Sequence, residues 1–230
     1  MQKRRKSRRK KLIIWLCIDV FVAAVVIALL LHKPSRYNPV VPADPDPNSE
    51  TVHPYLHREL WSKFYNGAQR QRPFEMVVLD DALNQAIGLL KWPQESSGVR
   101  LSAPEVLFTP GHLVLMGTAT IEGADFVVTV EFAPQLNEQG DLNLAVEKVK
   151  VGAMNITPLA RMMAKKMYRE RLETMSVNTK DIRAKIAASI FNEEPFEPVF
   201  LVEDKWVRLK SFEITQGRLT AQFVPAPKSP

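Results

Sequence analysis

The chain has 230 residues, 46% of them hydrophobic and 24% charged, with a formal net charge of +6. Eight basic residues (Lys3, Arg4, Arg5, Lys6, Arg8, Arg9, Lys10, Lys11) stand in the first eleven positions, and beyond residue 31 the count is 23 basic against 24 acidic, so the body of the chain is neutral. A neutral body with no recognition motif excludes a nucleic-acid partner, and a single cysteine, Cys17, excludes a disulfide framework and a cysteine-based metal site.

Residues 1–11 read as a basic cytoplasmic tail and residues 12–31 as a transmembrane helix. Leu12 to Leu31 is a twenty-residue run with one charge, Asp19, and a helix of that length spans about 30 Å, the hydrocarbon thickness of a bilayer. The basic flank orients the N-terminus to the cytoplasm. A cleaved signal peptide has a shorter apolar region ending at a small-x-small site, whereas this run continues into His32-Lys33-Pro34. A lipoprotein signal is excluded because Leu16, not a small residue, precedes Cys17. Asp19 lies about 12 Å into the span from Lys11. It reads either as a contact to a polar group on a partner helix or as a protonated, water-reached side chain outweighed by its apolar neighbours.

Residues 32–54 carry six prolines (34, 39, 42, 45, 47, 54) among Asp, Asn and Ser, a composition that favours extended polyproline II and predicts a spacer. Residues 55–72 follow as an amphipathic helix and connector. Leu56, Leu60, Trp61 and Phe64 share one side of that helix, which either lies on the lipid surface or, given the spacer, packs on the next domain. His53 and His57 have the i,i+4 spacing of a zinc pair, but Pro54 stands between them and no third ligand is near, so no metal is expected.

An exported α+β domain is predicted over 73–224, with a disordered tail at 225–230. Phe74 to Leu79 reads as a strand, and Asp80 caps a helix carrying Ala82, Leu83, Ala86, Ile87 and Leu90. Four strands follow, Val99–Thr109, Leu113–Ile121, Phe126–Phe132 and Leu142–Val151, broken at Pro110-Gly111, Gly123 and Gln139-Gly140. Connections this short make them antiparallel neighbours. In the fourth strand Leu142, Leu144 and Val146 are in phase, while Val149 and Val151 are out of phase across Glu147-Lys148. Val207 and Leu209 against Phe212 and Ile214 repeat the slip. Each slip predicts a β-bulge, and two of them predict a strongly curved antiparallel sheet wrapped around one long and one or two shorter helices. The long helix starts at Thr157-Pro158, a capping hydroxyl and an N1 proline, and runs to about Met175. A second covers Asp181 to Phe191, and strands return near Pro198–Val202, Trp206–Ile214 and Leu219–Val224.

The stretches "FEMVVLDDALNQAIGLL" and "GDLNLAVEKVKVGAMNITPLARMMAKKM", with the closing strand pair, resemble the YpmS-like family of bacterial single-span membrane proteins of unassigned function. The resemblance covers roughly residues 73–224 and is sharpest where a strand leads into Val151-Gly152 and a proline-started helix. A looser similarity joins such chains to tubular lipid-binding (TULIP-like) folds, in which a curved sheet wraps a long helix around an apolar tunnel. The resemblance implies no catalytic residues. It implies that Met154, Met162, Met163 and Met167, part of a group of five methionines within 22 residues that ends at Met175, line such a tunnel, where their flexible side chains would adapt to acyl chains. Without it, the same methionines read as core packing. Arg161, Lys165, Lys166 and Arg169 read as a solvated face or as contacts to anionic head groups.

Chemistry finds no support in the residues. There is no nucleophile elbow, P-loop or dinucleotide fingerprint, and no histidine with a serine and acid beside it. Glu122, Asp125, Glu193 and Glu194 fall at turns or loops. The expectation is therefore a non-enzymatic, cofactor-free protein of the bacterial inner (cytoplasmic) membrane, single-pass, whose exported domain binds a lipid or other apolar ligand. Its alternative is a scaffold of the cell envelope with a filled core and a protein partner.

Overall fold

The computed structural model describes residues 2–40, 55–90, 92–96, 98–174 and 181–227. Helix α1 (Gln2–Leu30) contains the window Ile13–Leu30, long and apolar enough to cross a membrane, and no part of that window is buried in protein. The basic residues 2–11 continue the same helix.

The rest is α+β with antiparallel sheets. A π-helical segment (Tyr55–Trp61) runs into α2 (Ser62–Gln69), followed by β1 (Phe74–Leu79), α3 (Asp80–Gly88), β2 (Gln94–Ser96), β3 (Val99–Leu101), β4 (Glu105–Thr109), β5 (His112–Ile121), β6 (Ala124–Leu136), β7 (Leu142–Val151) and β8 (Met154–Asn155). Helices α4 (Thr157–Thr174) and α5 (Ile182–Asn192) precede β9 (Val199–Val202), β10 (Lys205–Thr215) and β11 (Arg218–Pro225). The strand expected over Val99–Thr109 is two strands, because Pro104 has no N–H to donate and the ladder is interrupted over Ser102-Ala103-Pro104.

The single curved sheet expected from the sequence is two sheets. A small one has the order β1-β11-β10-β9, and a large one runs β2-β3-β5-β6-β7-β8 with β4 also paired to β5; neither closes on itself. Both bulges fall at the phase slips. In the β6–β7 ladder Glu131 pairs Lys148 and Phe132 pairs Val146, leaving Glu147 as the extra residue. In the β10–β11 ladder Leu209 pairs Phe223 and Ser211 pairs Gln222, leaving Lys210 extra. Because side chains alternate with period two, each extra residue restores the phase. Leu142, Leu144, Val146, Val149 and Val151 thus share one face of the large sheet, and Val207, Leu209, Phe212 and Ile214 share one face of the small one.

These faces look toward each other, and separate elements close the space between them at its ends. At one end α2 lays Phe64 and Ala68 on Phe74, Phe200, Val202 and Phe223. At the other, α3 and β4 insert Leu83, Ile87, Val106 and Phe108 against Val78, Ile214 and Leu219. Polar side chains bind that second end. Asn84 acts as a strand partner for Val106, accepting from its N–H and donating to its carbonyl, both at 2.7 Å. Asp80, expected as a cap, is the first residue of α3 and is buried; its carboxylate accepts from Phe108 N at 3.1 Å and Asp81 N at 2.8 Å.

Helix α4 does not enter the space between the sheets. Strand β7 is an edge over most of its length, and its backbone groups need partners. Thr157 Oγ1, expected as a cap, accepts from Val149 N at 2.9 Å, Arg161 Nη2 donates to Val146 O at 2.6 Å, and Ser189 Oγ of α5 accepts from Leu144 N at 2.8 Å. The two helices cover that edge from outside.

The first residues of the expected spacer do not stand clear of the domain. Tyr37 is buried on the outer face of the large sheet beside Met116 and Val127, donating to Ala103 O and accepting from Thr118 Oγ1, and Asn38 N donates to Glu105 Oε2 at 2.6 Å. Residues 41–54 lie outside the described residues, as do Met175 and residues 228–230 of the expected tail.

Candidate functional site

Between the closed ends the two apolar faces bound a half-open cleft of about 300 Å³. Its floor is Leu113, Phe132, Pro134, Leu142 and Leu144 of the large sheet, its roof Leu209, Phe212, Ile214, Leu219, Ala221 and Phe223 of the small one, and Ile190 of α5 stands at its side. Every lining residue is apolar. Several that point inward, among them Leu113, Leu142, Leu144, Phe212 and Leu219, are only half-buried, which in a filled sandwich they would not be. The volume lies at the small end of the range for ligand pockets and is about twice that of an engineered apolar cavity that stays dry and binds benzene. With nothing to hydrogen-bond water, such a space favours an apolar occupant.

The residues proposed from the sequence are not those of the cleft. Met162, Met163 and Met167 are 65%, 52% and 64% exposed on α4, and Met154 is half-buried in β8; none of the four lines the cleft. With α4 drawn to the edge of β7, its methionine stripe, extended by the half-exposed Leu159, turns outward. Two of the basic residues on α4 are engaged beside α5, Arg161 and Lys165 lying 3.8 and 3.7 Å from Glu193. Asp19 is exposed on α1. The cleft residues were visible in the sequence only as alternating apolar positions, a signal shared with any filled core.

One cluster of titratable groups lies on the outer face of the large sheet. His112, Glu131 and Glu147 come from three adjacent strands, and their ligand atoms lie within 4.8 Å of one another. The bulge at Glu147 brings it to the histidine, Nε2 being 2.8 Å from Oε2, while Nδ1 is 2.9 Å from Pro110 O. With an acceptor at each ring nitrogen the imidazolium, a donor at both, is the form that fits. The Pro110 carbonyl, then Glu147 and Glu131, raise the His112 pKa above its ordinary value, with burial opposing them. A divalent cation would have to replace the proton on Nε2, with the Pro110 carbonyl orienting the ring. Of the four carboxylates considered for chemistry, Asp125 accepts from Thr120 Oγ1 at 2.6 Å, Glu194 accepts from the Asn192 amide, Glu193 forms the left-handed end of α5 and Glu122 takes a positive φ at its turn. Compared with family models, curated proteins and solved structures, the chain matches none.

Proposed function

We propose that this is a single-span protein of the bacterial cytoplasmic membrane, N-terminus inside, whose exported domain binds the acyl chain of a lipid or a similar apolar ligand between its two sheets. The observation that carries the reading is the cleft lined only by apolar side chains, held open between ends that are well packed. The YpmS-like and TULIP-like resemblance agrees with it in kind, though the wall is made by strands and α5 rather than by the methionine helix. Neither catalysis nor a cofactor enters this reading.

Replacing Leu144 with Trp tests it. Binding of pyrene-labelled palmitate by the full chain in detergent is expected to fall sharply while the melting temperature holds or rises, because the indole occupies empty space. A loss of stability of about 1–3 kcal/mol, the cost of overpacking a filled core, with no palmitate binding by the parent protein, would end the reading.

The second reading, an envelope scaffold, is favoured by one observation. Leu159, Met162, Met163 and Met167 form an exposed apolar stripe on α4, and such a patch suits a protein partner. Crosslinking from position 163 in whole cells separates the two: a discrete protein adduct abolished by Met163→Glu supports the scaffold.

A further inference from the structure

The opposite face of the large sheet holds a second, chemically different space. Residues 32–36 arch over β5–β7 and enclose a groove of about 450 Å³. The backbone fixes where it stands. Ala153 N–H donates to the carbonyl of Leu29 at 2.8 Å, and a Cβ at Gly152 would overlap the carbonyl oxygens of Leu29 and Leu30. Those carbonyls belong to the last turn of α1, where intrahelical donors run out. Gly152 and Ala153, which line the groove, therefore sit at the level where the apolar window of α1 ends.

The lining is polar where that of the cleft is not. Arg36 and His32 from the exit segment and Lys150 from β7 supply cationic or proton-donating groups, and none of the three makes an ion pair among the described residues. Thr129 borders them with a hydroxyl that has no hydrogen-bond partner among the described residues. The groove's one carboxylate, Glu131, lies 3.8 Å from Lys148 and within 4.8 Å of the ligand atoms of His112 and Glu147. Cationic groups with no ion pair among the described residues, sharing a groove with one carboxylate at the end of the apolar helix, match a phosphodiester that carries a hydrogen-bond donor.

We propose that this groove binds the headgroup of a bilayer phospholipid, its phosphate on Arg36 and Lys150 and its ammonium or glycerol hydroxyl on Glu131. The inference rests on α1 as a membrane span and not on the apolar cleft. It gives the exported domain a fixed seat on the lipid surface.

The test is a titration of the full chain, isotope-labelled in detergent micelles, with dihexanoyl phosphatidylglycerol, phosphatidylethanolamine, phosphatidylcholine and inorganic phosphate. Amide shifts at Lys150 and Gly152 are expected to saturate with the first two lipids, and more weakly with phosphatidylcholine, which has no donor for Glu131. Arg36→Ala with Lys150→Ala lowers affinity about tenfold, the loss of charge-assisted hydrogen bonds to phosphate, and Glu131→Gln removes the preference over phosphatidylcholine. Arg36 is exposed and Lys150 and Glu131 are half-buried, and a cooperative melting transition confirms that both variants fold. Absence of saturable shifts with every lipid, or a double variant that binds like the parent, overturns the proposal. So does inorganic phosphate binding as tightly as the lipids, which would make this a free-phosphate site. None of these outcomes moves palmitate binding at Leu144, so failure of one site leaves the other standing.

Discussion

The α3 end and the middle of the space between the sheets are made from the same residue types and finish in different states. At the α3 end Phe108 is 1% exposed, and backbone hydrogen bonds cross between the sheets, Gly111 N to Ile214 O and Gly217 N to Phe108 O, both 2.9 Å. In the middle, Leu142, Leu144 and Phe212 remain half-buried around an unfilled space. The difference lies in what is inserted. Helix α3 drives Leu83 and Ile87 between the sheets, whereas α5 lends the cleft only Ile190 because its neighbouring Ser189 is committed to the edge of β7. Filling of an apolar face is thus set by the helix that reaches it, not by the hydrophobicity of the face.

Large-to-small substitutions separate the two regions by the largest effect. Phe108→Ala is expected to cost about 3–5 kcal/mol, the range for an aromatic removed from a packed core, measured by denaturant unfolding of the full chain. Asn84→Leu comes next at about 2–3 kcal/mol, because it strands the N–H and carbonyl of Val106 in a buried place. Leu144→Ala should cost only about 1 kcal/mol, since its side chain already borders empty space. Equal losses for Leu144 and Phe108 would mean that the middle is filled in solution.

The ion pair between His112 and Glu147 on the outer face is expected to give the smallest effect. The folded pKa of His112 lies above its unfolded value of about 6.5, so its contribution to stability is fully present below that pH and is lost as pH rises through the folded value. Titrating the ring by NMR should give a midpoint above 6.5 that drops in Glu147→Gln. A midpoint at or below 6.5 would show that the pair does not form.

Much of the strand architecture was legible because it rests on local physics. Glycines 111, 123 and 140 take positive φ at the expected turns, and both bulges follow from a one-residue slip in alternation. The division into two sheets was not legible, because it depends on β1 pairing with β11 across most of the chain, and alternation does not name a partner. The methionine stripe lies on one face of α4, but that face is exposed rather than turned to the cleft. Periodicity marks a face, but the unpaired edge of β7 decided where the helix would sit. Tyr37 is masked by the proline-rich composition around it, although as the one Phe, Tyr or Trp in 32–54 it is the natural anchor there.

The side chains that cover β7 also occupy backbone groups to which another strand could add. Over Leu144, Val146 and Val149 the strand's outward backbone groups are taken by Ser189, Arg161 and Thr157, three contacts from two helices that a local opening would release together. A chain in which α4 had peeled away would present a bulged but largely apolar edge, open to strand addition from a second molecule. If the chain is anchored in a membrane as proposed, such edges would be concentrated there, and the same helices that hold the fold together would limit strand addition between neighbouring copies.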